Sequence, residues 1–291
     1  MEIATLLNVH GNSQVVMDTI DSIKMYMTNN ILVLTDGAAH WKSKSIRGKA
    51  EVLARTDPFV DMLPTYQVEG FYHGRSKSPY RNLTLGLKTL GETWKADWYC
   101  YIEYDCLIAS ADFKEDLEEA AHRGVWMIGN DHRWSNYDLP LVEKIVGPLK
   151  ETRILLGCCV FFHRKFMESL REIDFFTRFL HLTNPFQESV PGFDEQGAYD
   201  IGEIIYPTLA VHLGGKVEQF AHFNDQIGWS GDAERYPMRF RPEIGSNGDP
   251  EFPDASIIHP LKTYNHPLRD YYRERRKRQR NWKTFSIHQA S

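Results

Sequence analysis

Short apolar runs alternate with segments of helical period through the first half of the chain, and this alternation leaves few architectures open. EIATLLNV (2–9), ILVLTD (31–36), YQVEGFY (66–72), WYCYIEYD (98–105) and VWMIGN (125–130) have the length and composition of strands. Between them, QVVMDTIDSIKMYM (14–27), RNLTLGLKTLGETW (81–94) and FKEDLEEAAHRG (113–124) carry apolar residues at helical spacing, with Asn12 or Ser13 placed to cap the first and Gly124 to end the last. Strands that are apolar along their whole length, separated by helices, predict an α/β fold with a mainly parallel central sheet flanked by helices. The second half is less regular. ILLGCCVFFHRKFMESLREI (154–173) reads as strand, turn and helix, PGFDEQGAYDIGEIIY (191–206) as an acid-rich helix and KVEQFAHFND (216–225) as a strand. Gly- and Pro-rich loops follow from 228 to 256, a length that points to functional loops or lids.

At 291 residues the chain can bury a substantial core. Its charge of −5 gives no indication of nucleic-acid binding. The longest apolar stretch, LLGCCVFF (155–162), falls well short of the roughly 18 residues that span a bilayer. The start MEIATLLNVHGN lacks the basic and apolar regions of a signal peptide and reads as an immediate first strand. The expectation is a soluble, cytoplasmic protein. Cys100, Cys106, Cys158 and Cys159 form no metal-binding spacing and read as buried free thiols in a reducing compartment.

Open parallel sheets bind ligands beyond the carboxyl ends of their strands. Three such ends carry polar residues: Asn8 with His10 and Asn12, Asp36, and Glu103 with Asp105. Glu103 and Asp105 are two positions apart, so on a strand they share a face. Two close carboxylates repel each other and are costly to bury unpaired. A bound Mg²⁺ or Mn²⁺ relieves that cost and bridges carboxylates to phosphates. The ordinary alternative is a strand end that reaches solvent, or a salt bridge to Arg81.

RNLTLGLKTLGETWKADWYCYIEYDCLI resembles the central segment of GT-A fold nucleotide-sugar glycosyltransferases, in which an Arg/Asn-bearing helix leads into an apolar strand ending in an acid-x-acid motif. ILVLTDGA resembles their second strand, LLNVHGNSQVVMDTIDSI their first strand, loop and helix, and GCCVFFHRKFMESL their acceptor-side strand, over roughly residues 3–205 in all. Glu103 departs from the usual first Asp, Thr35 stands where an acid is common, and the Gln-x-x-Arg-Trp motif of processive synthases is absent. The resemblance implies one catalytic domain over 1–270, with a nucleotide-sugar half (1–110) and an acceptor half (111–270), followed by a basic tail (271–291).

The resemblance also implies roles. Asp105 would bind the metal directly, while Glu103 would act through water or on the ribose. Asn8, His10 and Asp36 would line the base and ribose pocket, and Arg81 would reach the base or diphosphate. In ASIIHPLKTY, His259 would be a metal ligand and Lys262 a contact to the leaving diphosphate, with His266 the competing histidine. Asp194 or the adjacent Glu195 would be the base that deprotonates an acceptor hydroxyl. Each position also has an ordinary structural reading: Asp36 as a turn acid, His10 as a loop histidine, Asn82 as a helix cap, His259 as a surface turn, and Asp194 as a capping acid. Trp134, Tyr137, Trp229 and Tyr236 are sugar-stacking candidates or loop anchors. RERRKRQR (273–280) reads as a solvated helix end or a peripheral contact with anionic lipid.

These readings predict a transferase that moves a sugar from a nucleotide-diphosphate donor, with UDP the nucleotide most frequent in such families, to a carbohydrate or other hydroxyl acceptor. Two rivals stand beside it. A nucleotidyltransferase that makes the activated sugar needs a basic Gly-rich loop after the first strand, and HGNSQVV has no Lys or Arg. A binding protein without turnover fits less well with an acid-x-acid motif and a late histidine.

Overall fold

The computed structural model describes residues 1–9, 13–35, 60–63, 78–183, 201–220, 227–229 and 256–289. They form two compact units of interleaved sequence. The first comprises Met1–His10, Asn29–Glu103 and Lys114–Phe223; the second comprises Gly11–Thr28, Tyr104–Phe113 and Asn224–Ser291.

The first unit is built on a seven-stranded sheet of order β3-β2-β1-β4-β7-β6-β8. Its strands are β1 (Ile3–Val9), β2 (Ile31–Thr35), β3 (Val60–Leu63), β4 (Trp98–Glu103), β6 (Val125–Ser135), β7 (Thr152–His163) and β8 (Lys216–Gln219). β7 lies antiparallel to both β4 and β6, and all other neighbours are parallel, so the sheet is mainly parallel as expected. β1 sits between β2 and β4, so the chain leaves it in opposite directions along the sheet. In open α/β sheets ligands bind beyond the carboxyl ends of the strands at such a reversal, and here Asn8 and Glu103 are register partners at the ends of β1 and β4.

One face of this sheet packs under helices. Leu83, Leu87 and Leu90 of α2 (Ser78–Thr93) join Ala4, Leu6, Leu32, Leu34 and Tyr99 of the strands. Gly86 lets α2 approach closely, since a Cβ there would come within 2.6 Å of the Leu6 side chain. The same core takes in Phe166, Met167 and Leu170 of α5 (Arg164–Glu172), Phe175 and Phe179 of α6 (Phe175–Leu182), and Ile204, Ile205 and Leu209 of α7 (Ile201–His212). α3 (Phe113–His122) and the short α4 (Pro140–Val146) complete the helices between strands. Gly124 follows α3 with φ +76°, a conformation favouring glycine.

In the second unit β5 (Leu107–Ile108), β10 (Ile257–His259) and β9 (Ile227–Trp229) form a small sheet of order β5-β10-β9. Two helices accompany it, α1 (Ser13–Tyr26) and α8 (Pro267–Gln289). Leu107, Ala109, Ile258, Leu261, Leu268 and Tyr272 make its core. All four cysteines are free and buried, as the sequence predicts.

Several boundaries differ from expectation. β4 ends at Glu103 and not at 105, because Tyr104 and Asp105 form a turn into β5. β6 runs on to Ser135, because the start of β7 pairs with it as far as Thr152. Strand β3, in VDML between two prolines, is unanticipated, and the expected strand at 66–72 lies outside the described residues. α7 runs from 201 to 212, driven by the apolar IIYPTLAV, while residues 191–200 lie outside the description.

Candidate metal and donor site

The centre of the site is the turn after β4. The Thr19 hydroxyl of α1 lies 2.6 Å from the Tyr104 carbonyl and 2.8 Å from that of Cys106, which holds the turn. The Leu261 N–H donates to the Asp105 carbonyl at 2.8 Å, fastening the chain just after β10 onto the same turn. This fastening brings His259, the last residue of β10, beside Asp105. Its Nε2 is 3.4 Å from Asp105 Oδ1, and the two side chains are only 8% and 4% exposed. Cys106 is fully buried next to them. One donor atom from each of Asp105, Cys106 and His259 lies within 4.8 Å of the other two.

A cation cluster backs this group. Arg269, fully buried on α8, donates through Nε to the Leu261 carbonyl at 2.9 Å, through Nη1 to Asp18 at 2.8 Å and through Nη2 to Thr19 at 3.2 Å. It therefore ties together α1, α8 and the chain after β10. Burial pulls the Arg269 guanidinium below its ordinary pKa, while its hydrogen bond to Asp18 and the charges of Asp18, Asp105 and Cys106 act in the opposite direction. Asp18 also receives Arg276 and lies 3.5 Å from Arg273, and Asp21 lies 2.5 Å from Arg280. Lys277 pairs with Glu274. Much of the basic run at 273–280 thus faces acids of its own unit.

Asn8 donates to the Tyr101 hydroxyl at 3.0 Å, one strand over, and is the register partner of half-buried Glu103. Both belong to the first unit, whereas Asp105 and His259 belong to the second. Lys262 is exposed in the irregular segment after β10. His266 has a different task from His259: its Nδ1 accepts from the Leu268 N–H at 3.2 Å and caps α8. Trp134 is 63% exposed with the Arg153 guanidinium stacked 3.2 Å from its ring centre, and Tyr137 is 40% exposed. Trp229 is the register partner of His259 on β9. His10, Asp36, Asp194, Glu195 and Tyr236 lie outside the described residues, as do the side chains of Arg81, Asn82 and Trp229.

Cys106 and Arg269 are the residues that sequence reasoning missed. The first reads as one more apolar-strand thiol, although its place directly after Asp105 was a usable signal. The second sits outside the conspicuous basic run and is separated by most of the chain from Asp18.

No protein-family model and no curated protein sequence matches the chain. Solved structures do. The bifunctional glycosyltransferase WbbM in its apo form matches over 94% of this chain and 49% of its own, at TM-score 0.50 and 12% identity. The chain has the GT-A fold. An active-site variant of LgtC matches over 94% of both chains at TM-score 0.49 and 12% identity. The mannosyltransferase PcManGT from Pyrobaculum calidifontis, solved with GDP-Man and Mn²⁺, matches over 76% of this chain and 55% of its own, at TM-score 0.43 and 13% identity. This GT-A chain therefore spans about half the length of two of these three proteins. In its GT-A sheet Glu103 stands at the end of β4, next to the strand reversal at β1.

Proposed function

We propose that the protein is a metal-dependent glycosyltransferase that moves a sugar from a nucleotide-diphosphate donor, with UDP as its nucleotide, to a hydroxyl-bearing acceptor. The observation that carries this reading is the meeting of Asp105 and His259 at 3.4 Å, from distant parts of a GT-A chain. A carboxylate and an imidazole, with a thiol beside them, are a donor set that suits a divalent first-row cation. When bound, such a cation would neutralise charge on the departing nucleoside diphosphate.

The chain's own residues divide the remaining work. Asp105 and His259, both buried, would hold the cation. Lys262, three residues beyond His259, adds a positive charge for the leaving diphosphate. Asn8, His10, Asp36, Arg81 and Glu103 orient the nucleotide and ribose. Asp194 or Glu195 takes the proton from the acceptor hydroxyl as that oxygen attacks the anomeric carbon.

The test is turnover of a panel of nucleotide sugars with Mn²⁺, in wild type and in Asp105→Asn. We expect sugar release in the wild type and a loss of about 100-fold or more in the variant, the scale on which a single stabilising group acts, with an unchanged circular dichroism spectrum. Equal turnover in the two would refute the metal role. Pyrophosphate release from a nucleoside triphosphate would point to nucleotidyl transfer instead, and Mn²⁺-dependent binding without sugar release would point to a binding protein.

A further inference from the structure

The acid-x-acid pattern draws attention to two oxygen donors, but the buried group in the second unit contains one oxygen, one nitrogen and one sulfur donor. We infer that Cys106 is a metal ligand, supplying its sulfur as a third donor beside Asp105 and His259, so that the site favours borderline cations such as Zn²⁺ and Co²⁺ over Mg²⁺. This rests on the metal reading of Asp105 and His259 and specifies its chemistry.

Three observations support it. Each of the three residues is buried, Cys106 to 0%, Asp105 to 3% and His259 to 6%. A cation held there would meet buried ligands, whose charge should match its own, because burying an uncompensated charge is costly. One carboxylate, one thiolate and a neutral imidazole carry two negative charges and match a divalent ion; on coordination the thiol proton leaves to solvent.

The second observation is how the thiol is placed. The Cys106 carbonyl accepts from Thr19 at 2.8 Å and from Arg269 Nη2 at 3.5 Å, and the neighbouring Asp105 carbonyl accepts from Leu261. Both flanking backbone positions are thereby fixed, so the side chains of two consecutive residues are presented to the same group. The third is Arg269 itself, a fully buried guanidinium that donates to the Leu261 carbonyl at 2.9 Å and lies 3.5 Å from the Cys106 carbonyl, so it holds the chain after His259 and the Cys106 backbone together. A thiolate is a soft donor that binds Mg²⁺ poorly and Zn²⁺ or Co²⁺ well, and a site of three oxygens would not make that distinction.

Cobalt(II) makes the ligand visible, because a thiolate bound to Co²⁺ gives an intense near-ultraviolet charge-transfer band whatever the enzyme's activity. Full-length protein is titrated with Co²⁺, alongside Cys106→Ser, Cys158→Ser and His259→Ala. The inference predicts the band in wild type and in Cys158→Ser, its loss in Cys106→Ser, and a fall in Zn²⁺ affinity of at least about tenfold in Cys106→Ser with little change for Mg²⁺. Tenfold is the lower end of what groups outside the ligand shell already cost.

Cobalt binding that Mn²⁺ displaces and His259→Ala abolishes, but without the sulfur band, would overturn the role of Cys106 and leave the metal site standing. No cobalt binding at all would overturn both. Should Cys106→Ser fail to fold, loss of the wild-type band in His259→Ala and its persistence in Cys158→Ser still decide the question, since Cys106 is the one cysteine of the second unit's described residues.

Discussion

At the residue scale, the buried charges of the second unit are unevenly matched. Asp18, 6% exposed, faces Arg269 and Arg276, which are 0% and 1% exposed, with Arg273 3.5 Å away. Removing one side of such a group is far more damaging than its net worth suggests, because the partners stay buried without a counter-charge. Asp18→Asn is nearly isosteric and is expected to lower stability by about 3–5 kcal/mol, a large part of the roughly 5–15 kcal/mol of a typical domain. Urea denaturation checks this: the midpoint should fall at unchanged slope. A variant within about 0.5 kcal/mol of wild type would show that Asp21 alone compensates the arginines, since ordinary surface changes have that size. None of this was legible in MDTIDSI, where Asp18 looks like the polar side of an amphipathic helix. The periodicity of α1 says only which residues share a face; which partner meets that face is decided by α8.

Two helices begin with the same device at the element scale. His163 accepts from the Lys165 N–H and His266 from the Leu268 N–H, each through Nδ1 at 3.2 Å, at the starts of α5 and α8. A protonated imidazole can no longer accept, and it places a positive charge at the positive end of a helix. Both pKa values lie below the ordinary 6.5, chiefly through burial. Lys165 and Arg164 lower that of His163 further against Asp97 and Glu168, and Arg269 lowers that of His266 against Asp270. In the folded state both rings hold their protons less tightly than in the unfolded chain, so stability rises with pH across the window from the lowered values up to 6.5. It is full above 6.5 and declines as pH falls through the folded values. Thermal melts should follow that course, and replacing both with Asn, an acceptor at any pH, should flatten it. An unchanged slope in the double variant would assign the dependence to other groups. The elements themselves were largely readable: β1, β2, β4, α1 and α2 stand where the apolar pattern puts them. β3 was not, because VDML is short, carries an acid and is bounded by prolines, features that locally read as loop.

For the molecule as a whole, the proposed metal role of the donor group has a consequence for stability. Asp105, Cys106 and His259 all belong to the second unit, whose segments come from three separate parts of the sequence. A cation that binds this assembled group and not the unfolded chain stabilises the fold by mass action, by about 2.7 kcal/mol at a hundredfold excess over Kd. The melting temperature should then rise by roughly 5–10 °C with Mn²⁺ or Zn²⁺ and return with EDTA. Asp105→Asn should remove the response. A response that persists in that variant would place the cation elsewhere. No helix among the described residues is long and apolar enough to cross a membrane. The sequence by itself determined the strand–helix alternation, the mainly parallel sheet and the acidic end of β4, because these follow from local periodicity and from residues adjacent in the chain. Only the tertiary structure decided that Asp105 lies in a turn and not on the strand, that His259 and not His266 stands beside it, and that Cys106 and Arg269 belong to the same group. Those contacts join segments far apart in sequence through the Leu261–Asp105 backbone bond and the buried arginine, and no pattern along a single segment encodes a partner at that distance.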